Sequence, residues 1–134
     1  MFSNTAEYAL RSVILLAASG ERLGGKQIAE KLGVPANYLS KILLQLCRAK
    51  ILSSQKGWGG GFELALKPYK IRVLDVVKPF ESPLAQRECI LGKDLCSDRA
   101  PCPLHVYWKQ IKNIYVLMTE KVTVGDLVHS AHAR

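Results

Sequence analysis

The sequence has no apolar run near the ~20 residues that a membrane span needs. Its apolar run Val13 to Ala18 is short and lies between Arg11 and Glu21. An export signal needs a basic start and a small-residue cleavage site, yet Glu7 comes first and no basic residue precedes Arg11. These absences predict a soluble, cytoplasmic protein with no membrane partner. Internal repeats and low-complexity tracts are missing too, which excludes solenoids and fibrous chains. No His/Asp pair is spaced to activate Ser or Cys, and no phosphate loop carries a lysine, so nothing points to an enzyme. Acidic side chains are scarce, with 11 Asp and Glu against 19 Lys and Arg.

What is present is enough for one modest core: 134 residues, 49% of them hydrophobic. The net charge of +8 is unevenly spread. Residues 1–80 hold 12 Lys and Arg against 5 Asp and Glu, whereas residues 81–134 hold 7 against 6. A basic first part beside a near-neutral second part suits contact with a polyanion.

Helical spacing of Leu10, Val13, Ile14 and Ala17 predicts a helix over Asn4 to Ser19, with Asn4 and Glu7 as a capping box and Gly20 as the stop. A short helix follows from about Lys26 to Leu32. Gly33-Val34-Pro35 breaks it, and Pro35 opens a third helix. There Leu39, Ile42, Leu43, Leu46 and Cys47 share one stripe, while Asn37, Tyr38, Ser40, Lys41, Gln45 and Arg48 fall mostly on other faces. Two helices joined by a tight turn containing Gly form a helix-turn-helix, and the second carries hydrogen-bonding side chains suited to a major groove. Leu44 sits near that polar face without an evident purpose.

Ile51 to Ser54 and Phe62 to Leu66 read as two short strands around Gln55-Lys56-Gly57-Trp58-Gly59-Gly60-Gly61. A hairpin directly after a helix-turn-helix is a wing. Its glycines let backbone approach phosphate, Lys56 supplies a charge, and an exposed Trp58 favours a partner over solvent. A short helix from about Val73 to Lys78 ends at Pro79. Residues 79–103 then hold four prolines and three cysteines with no helical or strand period. A helix from about Leu104 to Thr119 follows, with Leu104, Trp108, Ile111, Tyr115 and Met118 as an apolar seam for another helix. Val106, Ile114, Val116 and Leu117 add apolar surface that a partner subunit would cover. A turn and a final short helix occupy Val122 to His129.

Cys89, Cys96 and Cys102 are separated by six and five residues, and His105 stands three residues beyond the last. In a reducing compartment such thiols argue for metal binding or reactivity before disulfides. Thiolates ligate both iron–sulfur clusters and zinc. Chemistry alone leaves these two nearly level, ahead of a metal-free thiol switch and of three unrelated cysteines, although the close cysteine pair usual in zinc modules is absent. The fourth ligand is open between His105 and Glu7. Cys47, on the buried stripe, reads as a small core residue.

Several segments together resemble the Rrf-type bacterial regulators, the family of IscR, NsrR and RirA. They are Thr5 to Arg11, Gln27-Ile28-Ala29-Glu30, Asn37-Tyr38-Leu39 with Leu43 and Leu46, the wing Gly57 to Phe62, the triple-cysteine loop, Cys102-Pro103-Leu104-His105 with Trp108, and Val122 to Val128. The resemblance covers nearly the whole chain. It implies a mainly α fold with a small β wing: a winged helix-turn-helix over residues 1–80, a cluster-binding loop over 81–103, and a dimerisation helix with a short last helix over 104–134. It further implies homodimers on a palindromic promoter site in double-stranded DNA, and a 2Fe–2S or 4Fe–4S cluster on Cys89, Cys96 and Cys102. Such a cluster would sense iron supply, redox state or nitric oxide. In IscR-like members the position of His105 supplies the fourth ligand, and in NsrR-like members an acidic residue at the position of Glu7 does so across the dimer. The DNA-facing set read from the sequence is Lys26, Asn37, Tyr38, Ser40, Lys41, Gln45, Lys56, Trp58 and Gly59. Trp58 replaces a proline common in the family and Ser40 a glutamate of IscR, so no promoter motif is carried over. Rival readings are a zinc or purely thiol-based switch at the same cysteines, and an iron–sulfur redox carrier.

Overall fold

A computed structural model describes residues 2–81, 89–91 and 99–132, with residues 131 and 132 described as backbone only. Six α-helices and one two-stranded sheet are found among them, in the order α1 (Asn4–Ser19), α2 (Gly25–Leu32), α3 (Ala36–Arg48), β1 (Leu52–Gln55), β2 (Gly61–Leu64), α4 (Val73–Val77), α5 (His105–Lys121) and α6 (Val124–His132). A single 3-10 turn, Pro68–Lys70, leads into α4. This is the mainly helical winged-helix plan that the sequence predicts.

The first helix starts one residue earlier in its capping logic than expected. Ser3, not Asn4, is the N-cap, and its hydroxyl accepts from the Ala6 N–H at 3.1 Å. Glu7 is therefore released from the capping box assigned to it, and its side chain is exposed. Gly20 closes the helix in the left-handed conformation, as expected.

Ala9, Val13 and Leu16 of α1, Ile28 and Ala29 of α2, and Leu39, Ile42, Leu43 and Leu46 of α3 form one core with Leu23, Ile51, Leu52, Ile71, Val76 and Val124. Cys47 only borders this core and is half-buried, so its expected place inside is corrected to the rim. Burial pushes the Cys47 thiol up from its ordinary value, against the lowering effect of a hydrogen bond with Ser54.

β1 and β2 pair antiparallel with Leu52 opposite Leu64 and Gln55 opposite Gly61. Leu23 adds a bridge to Phe62 on the other edge, with backbone bonds of 3.0 and 2.7 Å. The loop between α1 and α2 thus fixes the wing's base, a contact the periodicity analysis did not show.

The last two helices are sewn to the first part by backbone. Val73 N–H donates to Val122 at 2.9 Å and Val124 N–H to Ile71 at 2.8 Å. Val124 enters the main core, and Tyr115 meets Phe2 edge-on with ring centres 5.9 Å apart. The expected seam of α5 divides into two. Trp108, Tyr115 and Thr119 are buried within the subunit, whereas Leu104, Ile111 and Met118 are exposed with Tyr107, Ile114 and Leu117. Leu104 is the N-cap rather than the first helical residue.

The turn that follows α3 and its C-cap Ala49 places Lys50 at a φ of 63°. The Lys50 N–H reaches the Cys47 carbonyl at 3.0 Å, and the Ile51 N–H reaches Leu46 at 3.0 Å. A side chain in this left-handed position costs about 1 kcal/mol against glycine. Lys50→Gly should raise the melting temperature by roughly 3–5 °C, as read by calorimetry; an unchanged or lower value would show that Lys50 makes compensating contacts.

Two aspartates cap the last short helices. Asp75 accepts from the Arg72 N–H at 3.0 Å, and Asp126 from the Thr123 N–H at 2.9 Å. The Thr123 backbone and side-chain hydrogen bonds hold the Asp126 carboxyl below its ordinary value. For Asp75, burial acts upward but the bonds from Arg72 outweigh it, and the net direction is also down. A depressed carboxyl pKa stabilises the fold above the unfolded value, and that contribution disappears as pH falls through the folded value. Asp75→Ala and Asp126→Ala should lower the melting temperature at neutral pH, with the difference from the parent shrinking once the pH passes below the carboxylate range.

Candidate nucleic-acid interface and cysteine site

Burying Leu39, Ile42, Leu43 and Leu46 forces the opposite face of α3 outward. Asn37, Tyr38, Ser40, Lys41, Leu44, Gln45 and Arg48 are all exposed. Lys26, in the first turn of α2, is exposed as well. Helix geometry puts Asn37, Lys41, Leu44 and Arg48 on one narrow strip, with Ser40 on one flank and Gln45 and Tyr38 on the other.

The Tyr38 side chain is held in place. Its hydroxyl lies 3.0 Å from Thr5 Oγ1, and its ring meets Tyr8 edge-on with centres 5.9 Å apart. Arg11 sits 5.5 Å above the Tyr8 ring. The Ser40 hydroxyl donates to the Ala36 carbonyl at 2.9 Å, so its hydrogen is already used and only its lone pairs face outward.

At the wing, Trp58 is fully exposed, with a relative accessibility of 104%. Lys56 and Gly59 are exposed beside it. Gly59 has φ 70° and Gly61 φ 134°. A side chain at Gly61 would meet the Leu23 carbonyl oxygen at 2.5 Å, and one at Gly60 the Gln55 carbonyl oxygen at 2.2 Å. The turn therefore needs these two glycines. Arg22 braces it from the side, donating to Glu63 at 2.7 Å and to the Gly59 carbonyl at 3.3 Å. Lys26, Asn37, Tyr38, Lys41, Gln45, Lys56, Trp58 and Gly59 thus all lie on exposed surface of the helix-turn-helix and wing.

Sequence reasoning assigned no role to Arg22, Thr5 or Tyr8. Thr5 and Tyr8 lay in a recognised segment, but no periodic signal ties α1 to the outer face of α3. Arg22 carried no signal at all, since its partners are 37 and 41 residues away.

Of the three loop cysteines, Cys89 is buried with 4% accessibility and Cys102 is half-buried. Cys96 lies outside the described residues. The Cys102 carbonyl accepts from the His105 N–H at 3.0 Å, which ties this cysteine to the first residue of α5. Glu81 brings the other end of the loop to α1 by accepting from the Ser3 N–H at 3.1 Å. The Glu7 carboxylate has no hydrogen bond or ion pair among the described residues. Thiolates and imidazole fit an iron–sulfur cluster or zinc by donor chemistry. Among the described residues, no group of three or more His, Cys, Asp and Glu is gathered tightly enough to hold a metal. A buried indole N–H with no partner among the described residues, Trp108 Nε1, stands one turn after His105. Such a donor is costly to bury alone and suits an acceptor that arrives with a ligand.

No helix among the described residues is long and apolar enough to cross a membrane. The Rrf2 family, described as an iron-dependent transcriptional regulator, matches residues 2–130. NsrR of Bacillus subtilis, an HTH-type transcriptional regulator, is 33% identical over 129 residues, covering 94% of this chain and 88% of NsrR. Among solved structures, the global cysteine regulator CymR of B. subtilis aligns with a TM-score of 0.81 at 22% identity, over 97% of each chain. IscR of T. potens aligns with a TM-score of 0.74 at 25% identity, over 98% of this chain and 88% of IscR. With a family match running almost end to end, a relative a third identical, and the same helix-turn-helix and wing, this chain belongs to the Rrf2 family of transcriptional regulators.

Proposed function

We propose that this chain is a cytoplasmic, homodimeric regulator that binds a palindromic promoter site in double-stranded DNA, with affinity set by an iron–sulfur cluster on Cys89, Cys96 and Cys102. It performs no catalysis of its own. The observation that carries the DNA-binding half is the outward polar strip of α3 beside a braced wing with an exposed Trp58, in a basic segment of an Rrf2-family chain. Asn37, Tyr38, Lys41 and Gln45 face base edges or phosphates of the major groove, and Ser40 offers only acceptor lone pairs there. Lys26 and Lys56 neutralise phosphates, and Trp58 with Gly59 approaches the minor groove or backbone.

Cys89, Cys96 and Cys102 would hold the cluster, with His105 or the partner subunit's Glu7 as fourth ligand. When bound, the cluster supplies a redox-active iron centre open to small-molecule attack. The chain's part is to connect that site to the reading head. Cys102 is fixed to the start of α5, and Glu81 at the other end of the loop is fixed to Ser3 at the N-terminus of α1, two residues before Thr5, the partner of Tyr38. A change in how the loop is held thus reaches both the pairing helix and the helix that orients Tyr38.

The pairing surface is the outer seam of α5. Leu104, Tyr107, Ile111, Ile114 and Met118 follow alternating three- and four-residue steps and are all exposed, at 38% or more. This is the spacing of a helix–helix seam, and a second copy is the natural cover for so much apolar area.

Protein purified without oxygen should be brown and carry iron and acid-labile sulfide. Each of Cys89→Ser, Cys96→Ser and Cys102→Ser should remove the visible absorbance, while Cys47→Ser should leave it intact. A colourless protein with bound zinc would favour the zinc reading, and one with neither metal the thiol switch. Ile114→Glu should convert a dimer into a monomer by light scattering and weaken promoter binding at least tenfold without unfolding α5. A dimer that survives this change would place the interface elsewhere.

A further inference from the structure

Leu44 joins neither hydrophobic cluster among the described residues. Every other leucine or isoleucine of α3 (Leu39, Ile42, Leu43 and Leu46) is at most 2% accessible, while Leu44 is 50% accessible. It lies near the centre of the strip formed by Asn37, Lys41 and Arg48, one helical turn from each of the two cations. Solvent exposure of a leucine on a hydrogen-bonding face stabilises nothing in the subunit. Among the groups on the major-groove edge of the base pairs, one is apolar: the C5-methyl of thymine. The neighbouring cations Lys41 and Arg48 give the strip the charge of a DNA-facing surface, and the formal balance of residues 1–80 is strongly positive. Ser40, on the adjoining turn, has its hydroxyl hydrogen committed to Ala36 and cannot also donate from that hydroxyl to a base.

We propose that Leu44 is a specificity-determining residue that packs against a thymine C5-methyl in the major groove, selecting thymine at one position of each half-site. The inference rests on the DNA-binding reading above and adds a base preference to it. Packing there desolvates a methyl group on each partner. It needs no hydrogen bond from the protein, so it rejects cytosine and deoxyuridine by the missing methyl alone.

The test uses the full-length dimer. Duplexes enriched by the protein from a random-sequence pool serve as probes, at one fixed salt concentration and with the cysteine site both loaded and metal-free. In the tightest-binding duplex, each thymine is replaced in turn by deoxyuridine, in both half-sites together. One symmetric pair should weaken binding by about fifteenfold, since one buried methyl is worth roughly fourfold per half-site and the two half-sites multiply. Leu44→Ala should bind the parent duplex more weakly by a similar factor and lose its response to deoxyuridine at that pair only. Leu44→Gln, with the same exposed backbone, should shift the enriched base at that position away from thymine. A thermal melt matching the parent confirms that both variants fold. If no thymine shows an effect that Leu44→Ala abolishes, the proposal is overturned while DNA binding stands. If no sequence is enriched in either state, the DNA-binding reading itself fails and this one with it. If Leu44→Ala alters the oligomeric mass and leaves DNA preference unchanged, the residue belongs to a protein interface and the proposal is wrong.

Discussion

The arrangement depends on one constraint: α3 must bury Leu39, Ile42, Leu43 and Leu46 against α1 and α2. Each such side chain contributes about 1.5–3 kcal/mol when fully withdrawn from water, so together they leave the helix no freedom to rotate about its axis. A turn of even one residue would expose two of them. The rotation that satisfies the core is the one that projects Asn37, Lys41 and Arg48 outward. The polar face is therefore aimed by apolar packing on its far side, and the hydrogen bond between the Thr5 and Tyr38 hydroxyls adds a finer adjustment.

The wing is aimed by a different device. Its two strands are only four residues each, and a short hairpin is marginal by itself. The Leu23–Phe62 bridge gives it a third backbone partner, and the Arg22 guanidinium joins the turn to Glu63. That ion pair is partly exposed and weak as a source of stability. Its value is geometric, because the same side chain reaches the Gly59 carbonyl next to Trp58. An aromatic residue fully open to water is otherwise an aggregation hazard, and bracing keeps it presented in one place.

Much of this was legible in the sequence because short-range rules govern it. The helices, the Gly33-Val34-Pro35 break, the Gly20 stop and the glycine turn follow from periodicity and backbone conformation. Three features were not legible, each for a physical reason. The cap at Ser3 competes with an equally suitable Asn4 one residue later, and local propensity cannot separate them. The two faces of α5 overlap in spacing, so a seam through Trp108 and Tyr115 looks as good as one through Tyr107 and Ile114 until Phe2 and α4 are known to occupy one side. Arg22 and Glu81 act over chain separations of 37 to 78 residues, which no local pattern encodes. The division at residues 80 and 103 remains our proposed organisation; α6 contributes Val124 to the same core as α1 to α3.

The cysteine loop joins the ends of two helices that serve different purposes, α1 behind the reading face and α5 at the proposed pairing seam. Control at that loop is the central claim, and the affinity of one duplex for two states of the same dimer tests it most directly. Anisotropy titrations at matched salt should give dissociation constants that differ at least tenfold between protein with the cysteine site loaded and protein with it emptied. Equal constants, for dimers of equal mass and equal fold, would contradict it.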